Sequence, residues 1–202
     1  TVRVGDTEFA ARDAAAKLSN DGFAELDVGE ARMAGGKRID GAMSFAEKNA
    51  ITIDDLQDLL IEVVRAEIDT GKRGFPGLTT EQRAFLVQAL GEFPSESANP
   101  KFDGKEVPDH HCKFVLRGAG EVVPRPHLRV FDKIGRAYGF SIENAWVEDT
   151  RTGRGFFLTI VLYTNPDGVL NDDRYGYEEI ADPFFDAAGR AITRAVLGAE
   201  RR

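Results

Sequence analysis

The stretch Gly155-Phe156-Phe157-Leu158-Thr159-Ile160-Val161-Leu162-Tyr163-Thr164 is dense in aromatic and branched apolar side chains and carries no charge. Such a run suits a pleated strand better than a helix. Residues 139–148 before it read as a second strand. Thr150-Arg151-Thr152-Gly153-Arg154 supplies the turn residues between them, and Asn165-Pro166-Asp167-Gly168 closes the pair. So short a connection makes the two strands antiparallel neighbours.

Working outward, residues 128–132 form another strand candidate that closes on Lys133-Ile134-Gly135, and residues 113–117 a further one. Upstream, Thr52 is a helix cap, with Asp55 at the capping-box position. Leu56, Leu59, Leu60, Val63, Val64 and Ile68 follow at helical spacing, and Gly71 lies just past the end. A second helix opens at Thr79-Thr80-Glu81-Gln82, with Phe85, Leu86, Ala89 and Leu90 on one face. At the other end, residues 178–197 carry a stripe of Ile180, Phe184, Phe185, Ala188, Ile192, Ala195 and Val196. Pro183 falls in the first turn of that helix, where a missing N–H costs little. Helices, then antiparallel strands, then a long helix predict an α+β fold: an antiparallel sheet flanked by helices. Residues 1–49 are least legible. Residues 9–18 suggest a short Ala-rich helix, Asn20-Asp21-Gly22 a turn, residues 23–28 an imperfect strand, and residues 34–41 an exposed loop.

Composition fits one domain over residues 1–202. Hydrophobic residues make up 42% of the chain and the 14 Phe are spread along it, which argues for a core and against disorder. A net charge of −8 with no basic cluster disfavours nucleic acid as a partner. No apolar run approaches the roughly 18 residues of a membrane span. One cysteine, Cys112, excludes an internal disulfide framework. The chain starts at Thr1 rather than Met and has no leader pattern, so a preceding segment is expected to have been removed.

The stretch Phe131-Asp132-Lys133-Ile134-Gly135-Arg136-Ala137-Tyr138-Gly139, followed by two strands, an acidic loop and an amphipathic helix, resembles the closing section of penicillin-recognising serine hydrolases of the class A β-lactamase type. There a strand carries Lys-Thr-Gly or Lys-Ser-Gly beside the active site. The wording Ala137-Tyr138-Gly139-Phe140 and residues 162–173 is similar to that of β-lactamase-related serine hydrolases. Residues 51–60 and 78–86 resemble the helix pair that precedes the Lys-Thr-Gly strand. The likeness covers residues 50–198 and implies a β-lactamase/transpeptidase-like fold, whole or incomplete. It implies action on β-lactam or acyl-peptide bonds, a small-molecule or peptide substrate, and a periplasmic or secreted location.

Carried over position by position, the resemblance makes Lys133 the cation for a substrate carboxylate and Gly135 the point of close approach. The main chain of Arg136 becomes an oxyanion donor. Ile134 departs from the pattern, because it cannot offer the hydroxyl of the middle position. The catalytic Ser-x-x-Lys is absent: Ser44 and Lys48 stand four apart rather than three, and Ser19-Asn20-Asp21 scrambles the Ser-Asp-Asn element. No catalytic residue is therefore assigned. The chain reads as a fragment or nucleophile-free relative of such a hydrolase; the alternative is a non-enzymatic binding or interaction domain on the same scaffold.

Other clusters have plainer readings. Asp109-His110-His111-Cys112 places four metal-ligand types in a row, but neighbours on an extended chain face opposite ways, so a polar loop is expected. Asn165, Asp167, Asn171, Asp172 and Asp173 lack the spacing of a calcium loop and read as a solvated connection. No metal or cofactor is expected. Trp146 and Phe156-Phe157 are read as core aromatics.

Overall fold

The computed structural model describes residues 2–4, 7–9, 20, 22–71 and 75–198. Strands β1 (Val2–Val4) and β2 (Thr7–Phe9) form a small hairpin. They are followed by β3 (Asp27–Val28), β4 (Ala31–Ala34), β5 (Lys37–Asp40) and β6 (Met43–Ser44). Two helices come next, α1 (Ile53–Val64) and α2 (Thr80–Gly91), then a short α3 (Leu116–Gly120). Strands β7 (Leu128–Ala137), β8 (Phe140–Asp149) and β9 (Arg154–Tyr163) run consecutively. A two-residue strand β10 (Val169–Leu170), one π-helical turn (Tyr177–Ala181) and α4 (Asp182–Leu197) complete the chain. The fold is mixed α+β, with antiparallel sheets flanked by helices.

The main sheet is an antiparallel meander in the order β7-β8-β9. Its register puts Asp132 opposite Ala145 and Lys133 opposite Asn144, which in turn faces Thr159. Side chains alternate across the pleat, so even-numbered residues of β7 share one face and odd-numbered ones the other. Val130, Ala145 and Val147 on the first face join Phe114, Val115, Leu116, Ala119, Ala181 and Phe185 in the core. The opposite face carries Phe131, Trp146 and Thr159 and is covered by α1 and α2. Three layers result: α1 with α2, the sheet, and α3 with α4.

The caps of α1 and α2 follow the sequence. Thr52 accepts from the Asp55 amide at 3.0 Å, while Thr79 and Gln82 form a reciprocal capping box. Helix α1 ends at Val64, before the expected Ile68. On α2 the expected apolar face is not a buried one, since Phe85 is 69% exposed. The α4 stripe also splits. Phe185 is buried with Gly189 and Thr193, whereas Ile180, Phe184 and Val196 are exposed.

Residues 113–117 are not a strand. Phe114 and Val115 form a turn that leads into α3. Here tertiary packing overrides a strand-like composition: Gly118 lies so close to α4 that a Cβ there would stand 1.9 Å from the Asp186 carbonyl oxygen. The loop expected over residues 34–41 is a hairpin instead. Gly35 and Gly36 both take positive φ, as the tight two-residue turn between β4 and β5 requires. Its charged residues remain exposed, which is what misleads a reading from composition. β10 then pairs in parallel with β4, tying residues 31–40 to the loop after β9. The strand expected over residues 23–28 is reduced to β3. The Asn20 carbonyl accepts from the Phe23 amide, as the expected turn requires. Of the helix expected over residues 9–18, Phe9 closes β2 and the rest lies outside the described residues.

Candidate functional site

Lys133, Gly135 and Arg136 all lie within β7, an edge strand of the main sheet. β7 runs on to Ala137, so Lys133 stands inside the strand rather than at its end. Lys133 and Gly135 point to the face that carries α1 and α2. Beyond the cover of those helices, Lys133 is exposed and donates to the Ile134 carbonyl at 2.6 Å. Above Gly135 no atom of the described residues lies within 4 Å of where a Cβ would be. Among the described residues, the second half of β7 thus forms a shelf that carries the exposed Lys133.

The pleat turns Ile134 to the other face, where it packs on the core. The Arg136 side chain points the same way. It lies over the Phe114 ring at 4.2 Å, donates to Ser141 at 3.2 Å and pairs with Asp182 at the start of α4. The side chain therefore anchors the strand, and only its main chain belongs to the edge. Nearby, the Gly139 amide donates to the Tyr177 hydroxyl at 2.9 Å, which ties the β7–β8 turn to the π-helical turn.

Beside Lys133 lies a polar row that the sequence did not single out. Asn144 is buried and donates to the Leu56 carbonyl of α1 at 2.8 Å. Thr159 donates to Asn144 Oδ1 at 2.9 Å and accepts from Gln57 at 3.0 Å. These residues sit on three separate elements, so only the register reveals the row.

A second missed cluster lies under the shelf. Asp132 and Glu143 are both buried on the core face, with Glu143 fully enclosed. Lys113, 3% exposed, donates to Asp132 Oδ1 at 2.5 Å and to the Leu90 carbonyl at 2.8 Å. Glu143 accepts from the Phe114 amide at 2.7 Å. Burial raises the Glu143 carboxyl well above its usual range, and the neighbouring Asp132 pushes it further. Asp132 is raised too, by burial, against the pull of Lys113. The two enclosed carboxyls face one lysine, and Glu143, which burial and Asp132 both push upward while Lys113 bonds Asp132, is the one whose neutral form the site favours. A shared proton would let the two carboxyl groups bond to each other, and Asp132 Oδ2 and Glu143 Oε1 are buried with no hydrogen-bond partner among the described residues.

The remaining clusters are structural. Asp109 caps a short turn, accepting from Ser95 and Arg125; Arg125 and Arg129 stack on Phe93 at 3.7 and 4.4 Å. Among the described residues no group of three His, Cys, Asp or Glu could hold a metal ion. Asp167 and Asp172 accept from backbone amides two residues on, the chemistry of turns. Trp146 packs on Phe157 at 4.6 Å, under the Arg65 guanidinium. No helix among the described residues is long and apolar enough to cross a membrane.

Comparison with protein-family models, curated proteins and solved structures returns no match.

Proposed function

We propose that this chain carries the substrate-edge half of a β-lactamase-like serine hydrolase. The outer edge of β7 would hold a carboxylate-bearing acyl compound, while the nucleophile is not part of this sequence. One observation carries the reading: an edge strand of an antiparallel meander presents Lys133 beside Gly135, over which no described residue packs, with a long helix following the sheet. A strand edge offers a ligand main-chain donors and acceptors, and an ammonium supplies a point charge for its carboxylate. The Arg136 main chain is the proposed oxyanion donor, with its side chain withdrawn to Asp182.

Without Ser-x-x-Lys the chain binds and does not acylate. The compartment that goes with this reading is the periplasm or the exterior. The test is titration of the 15N-labelled protein with benzylpenicillin, with intact mass measured in parallel. Amide shifts at residues 133–137 that disappear in Lys133→Ala, with no mass increase, are expected. No shift at millimolar ligand, shifts elsewhere, or a covalent adduct on this chain would overturn the reading.

A further inference from the structure

We propose that the outer edge of β9 pairs with the same edge of a second copy of this chain, joining two main sheets into one six-stranded sheet. β9 is the last strand in its sheet, hydrogen-bonded on one side only. Its composition is that of a central strand: Phe156, Phe157, Leu158, Ile160, Val161, Leu162 and Tyr163 lie within ten residues. Yet none of its residues is buried, whereas most of β8 is. Val161 and Tyr163 are 39% and 40% exposed on the face shared with α1.

Isolated edges are usually guarded by charge, proline, a bulge or short length. β9 has none of these guards between residues 155 and 163; its one charge, Arg154, is engaged with the Val196 carbonyl at 2.6 Å. The helices that flank β9 add Leu59 and Val196 as further exposed apolar groups.

A second copy is the occupant that the edge fits. A two-fold axis through Thr159, perpendicular to the sheet, keeps each face continuous. It sets Leu158 opposite Ile160 and Phe156 opposite Leu162 on one face, and Phe157 opposite Val161 on the other. All three are favourable cross-strand pairs, with no buried charge. At about 3.4 Å per residue the edge is about 34 Å long. With roughly 20 Å of helix and sheet depth it offers on the order of 700 Å² per copy, near the ~800 Å² per partner of stable interfaces. The net charge of −8 opposes association. Since no acidic residue lies on β9, the repulsion is long-range and salt screens it.

Sedimentation velocity from low micromolar to several hundred micromolar protein, at low and at physiological salt, tests the proposal. The expected result is a mass moving from 22.2 kDa to twice that value, with more dimer at the higher salt. Val161→Lys and, separately, Tyr163→Lys should hold the protein monomeric with unchanged far-UV circular dichroism. Either one alone decides the matter if the other fails to fold. A monomer at every concentration, or a dimer that survives both substitutions, overturns the proposal. So does a monomer whose outward β9 amides already exchange slowly, because some other segment would then cover the edge.

Discussion

Replacing Lys113 with Met should destabilise the protein far more than replacing Glu143 with Gln, although Glu143 is the more deeply enclosed of the two. Among the described residues Lys113 is the cation bonded to Asp132, and it also satisfies the Leu90 carbonyl. Its removal leaves a buried carboxyl without a counter-ion, a change that costs about 3–5 kcal/mol. Glu143→Gln keeps an acceptor for the Phe114 amide and gains an N–H directed at Asp132, so a loss below about 1 kcal/mol is expected. pH separates the two further. Because the folded state holds the Glu143 carboxyl above its usual range, it binds more protons than the unfolded chain once pH exceeds the ordinary glutamate value. Stability contributed by that proton is fully present below the unfolded pKa and falls as pH rises toward the folded one. The slope is at most about 1.4 kcal/mol per pH unit. Asp132, raised as well, adds in the same direction. Glu143→Gln should flatten this decline. Urea unfolding of the three proteins at a series of pH values from 4 to 8 is the assay. Equal losses in the two variants, or a pH dependence that Glu143→Gln leaves unchanged, would refute a neutral acid paired with a lysine-bound carboxylate.

Gly118→Ala should cost at least about 1–3 kcal/mol, read as a drop in Tm, because its Cβ would meet the Asp186 main chain and α3 or α4 must move. Thr79→Ala removes one half of the α2 capping box and should cost about 1 kcal/mol in urea unfolding. Lys133→Ala should change stability by less than about 0.5 kcal/mol, since the side chain is exposed and among the described residues bonds the Ile134 carbonyl alone. Any loss of ligand response in that variant is then a binding effect.

The sequence made the meander legible because β8 and β9 are long, apolar and joined by a turn-rich segment, and both helix caps could be read from Thr52 and Thr79. It failed at Lys113, where strand-like side chains enter a helix held by a glycine contact sixty-eight residues away, at Asp186. No local pattern carries that information. It failed again at Ile180 and Phe184, whose helical spacing gave them a core face that the packing assigns to Phe185 and Gly189. Of the candidate site, Lys133 and Gly135 could be picked out from the motif alone. The Asp132–Glu143 pair and the Asn144 row could not, because their members meet only when strands are set in register.

Gln57, Thr159, Asn144 and the Leu56 carbonyl close a ring of hydrogen bonds that begins and ends on α1. Greasy contacts between a helix and a sheet tolerate sliding, since one methyl group can replace another; this ring does not. Moving α1 by a single turn would strand an amide and a hydroxyl in a dry layer. The helix is thereby pinned at one setting along the strands, and the wall of the ledge that holds Lys133 keeps a constant height.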